Sequence, residues 1–205
     1  MTALTGDQKY QFWRDGVLVV EDAVTLEELE NLRKVFVHWV EESRGHDDDY
    51  GETLDGRARF DLEPGHTAEA PALRRVQSPE EISDVYADVM RNARTVDVVA
   101  ELIGPAIRFH HGKVNSKLPG AATKVKFHQD FLFQPMTNDD LITALFLSMM
   151  CHWKTARLRS CPVRTRGRFI PFGTMVCLQV PWPMRLSKNT MTISSNALAR
   201  RVLCA

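Results

Sequence analysis

The sequence predicts an α+β fold, and three observations carry that reading. The helical patterns of the chain all lie at or before Leu102. After Gly104-Pro105 the apolar period changes from helical to alternating. The alternating runs are short and separated by turn residues. Helices first and clustered strands after point to a mainly antiparallel sheet or roll.

The elements follow in chain order. Asp7 to Arg14 reads as a short helix carrying Tyr10, Phe12 and Trp13 and stopped by Gly16. Val17-Leu18-Val19-Val20 reads as a short buried strand. Thr25-Leu26-Glu27-Glu28 is a capping box. It opens a helix with Leu29, Leu32, Val35 or Phe36, and Trp39 or Val40 on one face, ending near Gly45. His38, on that helix, reads as a surface or satisfied histidine. His46-Asp47-Asp48-Asp49 reads as a solvated loop, since it lacks the ligand spacing, glycine and terminal glutamate of an EF-hand. Tyr50 to Ala72 is polar and punctuated by Gly and Pro, so loops with little regular structure are expected, able to cover a substrate. Arg74-Arg75 reads as a solvated pair, although it could meet an anionic substrate.

Ser78-Pro79-Glu80-Glu81 reads as a second capping box with Pro at the first helical position. Its helix is expected to reach Asn92, with Ile82, Val85, Tyr86, Val89 and Met90 inward. A further helix covers Val96 to Leu102. Four strand candidates follow: Ile107 to His111, Lys113 to Leu118, Val125 to Phe133, and Leu141 to Leu147.

Two of these strands carry polar groups in a pattern with chemical meaning. On a strand, residues two apart face the same way. His128 and Asp130 would then aim a nitrogen and an oxygen at one point. They supply two thirds of the two-histidine, one-carboxylate set that holds non-haem Fe(II) with open positions. His111, Lys113, Asn115 and Lys117 likewise share a face, which is either solvent-exposed or lines a polar site. Lysine and asparagine there could hold a carboxylate.

The runs His111-Gly112-Lys113-Val114-Asn115-Ser116-Lys117-Leu118-Pro119-Gly120, Phe127-His128-Gln129-Asp130 and Pro135-Met136-Thr137-Asn138-Asp139-Asp140-Leu141 resemble the phytanoyl-CoA dioxygenase family. The opening Phe12-Trp13-Arg14-Asp15-Gly16, followed by a Val-rich strand, resembles that family's start. The similarity covers Gly6 to Leu147. It implies a double-stranded β-helix (jelly-roll, cupin-like), Fe(II), 2-oxoglutarate as co-substrate, O₂, and hydroxylation of a small-molecule substrate. It implies His128 and Asp130 as the first two iron ligands. Lys113 and Asn115 match the strand that contacts 2-oxoglutarate, and Phe146 would wall that pocket. The family also needs a second histidine far downstream and, shortly after it, an arginine for the distal carboxylate. Neither is recognisable. His152 follows Asp130 too soon to reach the opposite strand of a roll.

Charge marks where the resemblance stops. Every Asp and Glu lies at or before Asp140, and every Cys at or after Cys151. Up to Leu147 there are 26 acids and 16 bases, a net −10; the rest carries ten bases and no acid. One folded domain rarely segregates charge this way. Residues 1–147 are therefore read as the N-terminal part of the family's domain, leaving the roll incomplete. Residues 148–205 are read as an off-frame translation, poorly ordered. If Ser148 is TCG, Ser148-Met149-Met150 shifts to Asp-Asp. One choice of synonymous codons turns His152 to Ala156 into L-E-N-G and Ser160 to Gly167 into V-P-G-S-H-K-G. The family has D-D, E-N-G and P-G-S-H-K-G in that order. On this reading the chain is impaired or inactive.

Other classes fit less well. No uncharged apolar run spans a bilayer, and Met1 to Asp7 lacks a signal peptide's segments, so a cytoplasmic protein without membrane partners is expected. The cysteines lack C-x-x-C spacing, which argues against zinc. A non-catalytic jelly-roll remnant or binding module is the alternative from another class. Nucleic-acid binding by the tail, with Phe169, Phe172 and Trp182 among its arginines, is a third reading. Pro162, Pro171, Pro181 and Pro183 interrupt that tail and no nucleic-acid motif appears, so no nucleic-acid partner is expected. Oligomeric state is not legible.

Overall fold

A computed structural model describes residues 3–116, 130 and 140–147, together with the backbone of 174–179. The chain divides into two compact units, one of residues 1–22 and 128–205 and one of residues 23–127. Helices and both kinds of sheet are present, so the α+β expectation holds at that level.

The first unit opens with α1, Gly6–Asp15. Thr5 caps it reciprocally with Gln8, whose amide oxygen accepts from the Thr5 N–H at 2.8 Å. Gly16 ends it in the left-handed region at φ 71°, as glycine does at little cost. Strand β1, Val17–Glu21, follows with Val17, Leu18 and Val20 buried. Two later strands complete a sheet, namely β6 (Ile142–Leu147) and β7 (Thr174–Gln179). Its order is β1-β7-β6 and both of its pairings are parallel, so the expected antiparallel arrangement is found in the sheet of the second unit and not in this one. β1 and β6 are short apolar runs, which suit a parallel sheet better than alternation does.

The second unit holds α2, Leu26–Ser43, capped by the expected Thr25–Glu28 box. Leu29, Leu32 and Trp39 face inward, and His38 is exposed, as its bland reading required. The segment expected to be loops instead forms β2 (Tyr50–Glu52) and β3 (Ala58–Leu62), and Leu73–Gln77 forms β4. With β5, Lys113–Asn115, they make an antiparallel sheet in the order β2-β3-β4-β5. These strands escaped the sequence because β3 is buried while carrying charge. Arg59 and Asp61 alternate with Phe60, so the apolar period is broken although all three are buried. Each charge is paired in place.

Arg59 shows how. Its side chain is 7% exposed. It donates to the carbonyls of Glu52, Gln77 and Ser78 and to the Glu81 carboxylate at 2.6 Å. Packed against the sheet is an aromatic cluster. Trp39 lies 5.1 Å from Tyr86 and 6.1 Å from Phe60 between ring centres, and Tyr50 stacks between Phe60 and His46. Gly51 sits at φ 68°, where an added Cβ would come within 3.1 Å of the Phe60 ring.

The second expected capping box does not form. Ser78 takes a left-handed φ of 44° and makes no side-chain cap; Pro79–Glu81 is an isolated 3-10 turn. Helix α3, Asp84–Asn92, starts afresh from Ser83, whose hydroxyl accepts from the Tyr86 N–H. Ile82 is therefore exposed, whereas Tyr86 and Val89 are buried as expected. Helix α4, Arg94–Ile103, stops at Gly104. Residues Ile107 to His111 form no strand. No helix among the described residues is long and apolar enough to cross a membrane.

Only the arginine of the Arg59–Glu81 pair is buried, since Glu81 is exposed, and removing Arg59 deprives three backbone carbonyls of their donor. Arg59→Met is accordingly expected to destabilise the fold by about 1–3 kcal/mol, read from urea unfolding. A loss below about 1 kcal/mol would show the pair to be no stronger than a surface one.

Glu80 adds a pH dependence. Oε1 accepts the Gly112 N–H at 3.3 Å, while Oε2 is buried without a hydrogen-bond partner. Burial pushes its pKa up, against the pull of the Gly112 bond. A carboxyl raised on folding favours the native state below its ordinary pKa and loses that contribution as pH rises through the folded value. Glu80→Gln keeps the acceptor and removes the charge. It should raise the melting temperature near about pH 7 and leave it unchanged near about pH 4. Equal shifts at both would contradict this.

Candidate metal and co-substrate site

The expected co-substrate residues lie on β5 in the second unit. Lys113 pairs directly with Gln77 and Asn115 with Arg75. Their shared face follows from the two-residue repeat, as expected. Both residues are exposed. His111 precedes the strand, and Lys117 lies outside the described residues. The strand is shorter than Lys113 to Leu118 among the described residues.

A charged row runs across this sheet. Asp61 on β3 pairs with Arg75 on β4, and Arg75 pairs with Asn115 on β5. Arg75 Nη1 lies 3.3 Å from Asp61 Oδ2, and Arg75 Nε donates to Asn115 Oδ1 at 3.2 Å. The register shifts between Asp61 and Leu62, so Arg74 is an extra residue in β4. Such a bulge re-aims side chains. It lets Arg74 also reach Asp61, at 2.9 Å. Arg74-Arg75 is therefore not a solvated pair, since both cations share one carboxylate whose side chain is 10% exposed.

Asp130 belongs to the first unit. It sits in a 3-10 turn rather than in the expected strand, so same-face geometry does not describe it. The rest of Val125 to Phe133, His128 included, lies outside the described residues, as does His152. Asp130 is half-buried, and its Oδ2 accepts the Thr143 hydroxyl at 2.7 Å. Thr143 projects from β6, the one polar side chain within Ile142–Leu147. Phe146, on the same strand, is half-buried.

Among the described residues no three His, Cys, Asp or Glu side chains come together as a metal site. Asp130 itself fits one position of an Fe(II) site. A carboxylate is an appropriate oxygen donor, and a hydroxyl that fixes it is the outer support such ligands have. The acidic loop has a structural use instead, because Asp49 Oδ1 accepts the Leu62 N–H at 2.7 Å. Nearby His66 is likewise engaged on both ring nitrogens, by Ser43 O and Ala72 N.

Sequence reasoning passed over Thr143, Asp61 and the role of Arg75. Thr143 left a signal, a lone hydroxyl inside an apolar strand. Asp61 and Arg75 left none without the pairing of β3 with β4.

Residues 12–156 match the phytanoyl-CoA dioxygenase family. A "probable alpha-ketoglutarate-dependent hypophosphite dioxygenase" of Stutzerimonas stutzeri is 38% identical over 85 residues, which is 42% of this chain. The chain spans only 29% of that relative's length.

Thr143→Val keeps the strand and removes the donor to Asp130. Outer-shell changes of this kind cost about tenfold or more in metal affinity, and that loss is expected in an anaerobic Fe(II) titration. Unchanged affinity would separate Asp130 from the metal.

Proposed function

Because the chain belongs to the phytanoyl-CoA dioxygenase family, we propose that it is built as a non-haem Fe(II)- and 2-oxoglutarate-dependent dioxygenase, a hydroxylase of a small organic or acyl substrate, with turnover impaired or lost in this chain. The family match over residues 12–156 carries the proposal. The name of the Stutzerimonas relative adds a small phosphorus oxyanion to the substrates worth testing.

Bound Fe(II) and 2-oxoglutarate would supply the oxidising chemistry together with O₂, the oxidant. The chain's part is to bind and orient. Asp130, steadied by Thr143, and His128 would hold the ion through carboxylate and imidazole. The Lys113 ammonium and the Asn115 amide would meet a carboxylate of the co-substrate. The fold would be a double-stranded β-helix left incomplete.

The impairment follows from composition. No acid occurs after Asp140, and neither a distal histidine nor its following arginine is recognisable. We read residues 148–205 as off-frame, with the third ligand and the carboxylate arginine lost with the frame. Two of three ligands bind iron weakly, and poor turnover follows.

The test compares this chain with one whose frame is restored from the codon of Ser148. Succinate formation dependent on Fe(II) and 2-oxoglutarate is expected from the restored chain and little from this one. A restored chain that binds neither iron nor 2-oxoglutarate would overturn the dioxygenase reading. An unbroken frame at this position of the gene would overturn the off-frame reading alone.

A further inference from the structure

We propose that Arg75, anchored by Asp61, is a positioning residue that fixes the amide of Asn115 as a hydrogen-bond donor toward an anionic ligand. The inference rests on the co-substrate role proposed for Asn115 and goes beyond it, because it assigns the device that gives Asn115 its polarity.

An asparagine side chain has a donor end and an acceptor end, and either can face a ligand. Its neighbours decide which. A guanidinium has only donors. Next to Arg75, Asn115 must therefore turn its carbonyl oxygen inward, as the Nε–Oδ1 bond of 3.2 Å records. The Nδ2 hydrogens then point away from Arg75. An anion meeting this face finds the two Nδ2 donors, whereas a ligand offering donors would have to share Oδ1 with Arg75.

Arg75 is itself held. Asp61 lies directly across on β3, 3.3 Å from Nη1, on a side chain that is 10% exposed. The bulge brings Arg74 onto the same carboxylate. Two cations on one acid leave a net positive charge under the row. Lys113, two residues before Asn115 and on the same face, adds an exposed positive charge. Asp61, Arg75 and Asn115 occupy successive cross-strand positions, so the sheet's own hydrogen bonds set their spacing. The order acid, base, amide runs outward along it. A carboxylate fits the end of that row, and the carboxylates of 2-oxoglutarate are of that class.

The test titrates 2-oxoglutarate into the full chain and into its frame-restored form. Side-chain amide signals are followed by NMR and affinity by calorimetry. The Asn115 signal is identified by its disappearance in Asn115→Ala. Addition of 2-oxoglutarate should move that signal. Arg75→Met keeps the length and removes the donors, and should weaken binding about tenfold, the scale of a hydrogen bond to a charged group. Arg75→Lys keeps a donor and the pairing with Asp61, and should recover most of the affinity. Melting temperatures report folding separately. If Arg75→Met binds as tightly as the parent and its Asn115 signal still moves, the positioning role is wrong. It is equally wrong if Met and Lys variants lose affinity only in step with a fall in melting temperature. Absence of 2-oxoglutarate binding by the frame-restored parent would instead remove the dioxygenase reading and this inference with it.

Discussion

The second unit depends on the burial of one guanidinium. Arg59 sits in β3 with three backbone carbonyls and one carboxylate around it, drawn from the end of β2, the end of β4 and the 3-10 turn. Only arginine has enough donors in a fixed fork to serve all four. The consequences run along the chain. Ser78 takes a left-handed conformation that a serine seldom adopts. It is held there because its carbonyl accepts from Arg59 and its N–H donates to Gly112 O at 3.0 Å. Strained backbone persists where the surroundings over-determine it. That turn then delivers Glu80 to the Gly112 N–H, immediately before β5. The strand bearing Lys113 and Asn115 is thus located by a residue far from it in sequence.

The same logic explains the polar face of the sheet. A flat strand pair would give Asp61 one cross-strand partner. The bulge at Arg74 gives it two, and Arg75 is left with an Nε–H directed at Asn115. A one-residue irregularity thereby converts a single pair into a row of defined polarity. The row has direction, since it settles which end of the Asn115 amide faces outward.

Where local chemistry decides structure, the sequence was readable. The Thr25 box, the Gly16 and Gly104 stops, β1 and β6 follow from caps, glycine and short apolar runs. The family resemblance was likewise legible from the strand around Lys113 and the segment around His128. Reading failed where tertiary pairing overrode the local signal. Arg59 and Asp61 look like loop residues until their partners are known. Ser78-Pro79-Glu80-Glu81 has every letter of a capping box, yet Arg59 and Gly112 claim the backbone of Ser78 and hold it outside the geometry a cap requires. Asp130 was expected on a strand from its neighbours' β-propensity, and propensity is a weak prior beside a turn that carries the carboxylate to Thr143.

Strand β7 is the point where composition and structure meet most directly. It lies within the acid-free tail and pairs with both β1 and β6. Pairing of this kind does not require a sequence selected for the position. Without β7, β1 and β6 would each leave the edge it covers open, and a short run without charge can satisfy such an edge. Thr174–Gln179 is such a run, since Met175, Val176, Cys177 and Leu178 lie between two polar but uncharged ends. An off-frame segment of this composition would seat itself in parallel between the two strands on backbone hydrogen bonds alone. Register would then rest on the backbone more than on side chains, and a pairing held in that way is prone to slip. If residues 148–205 are off-frame, the order β1-β7-β6 depends on which frame is translated, whereas the row from Asp61 to Asn115 lies wholly before Ser148 and does not.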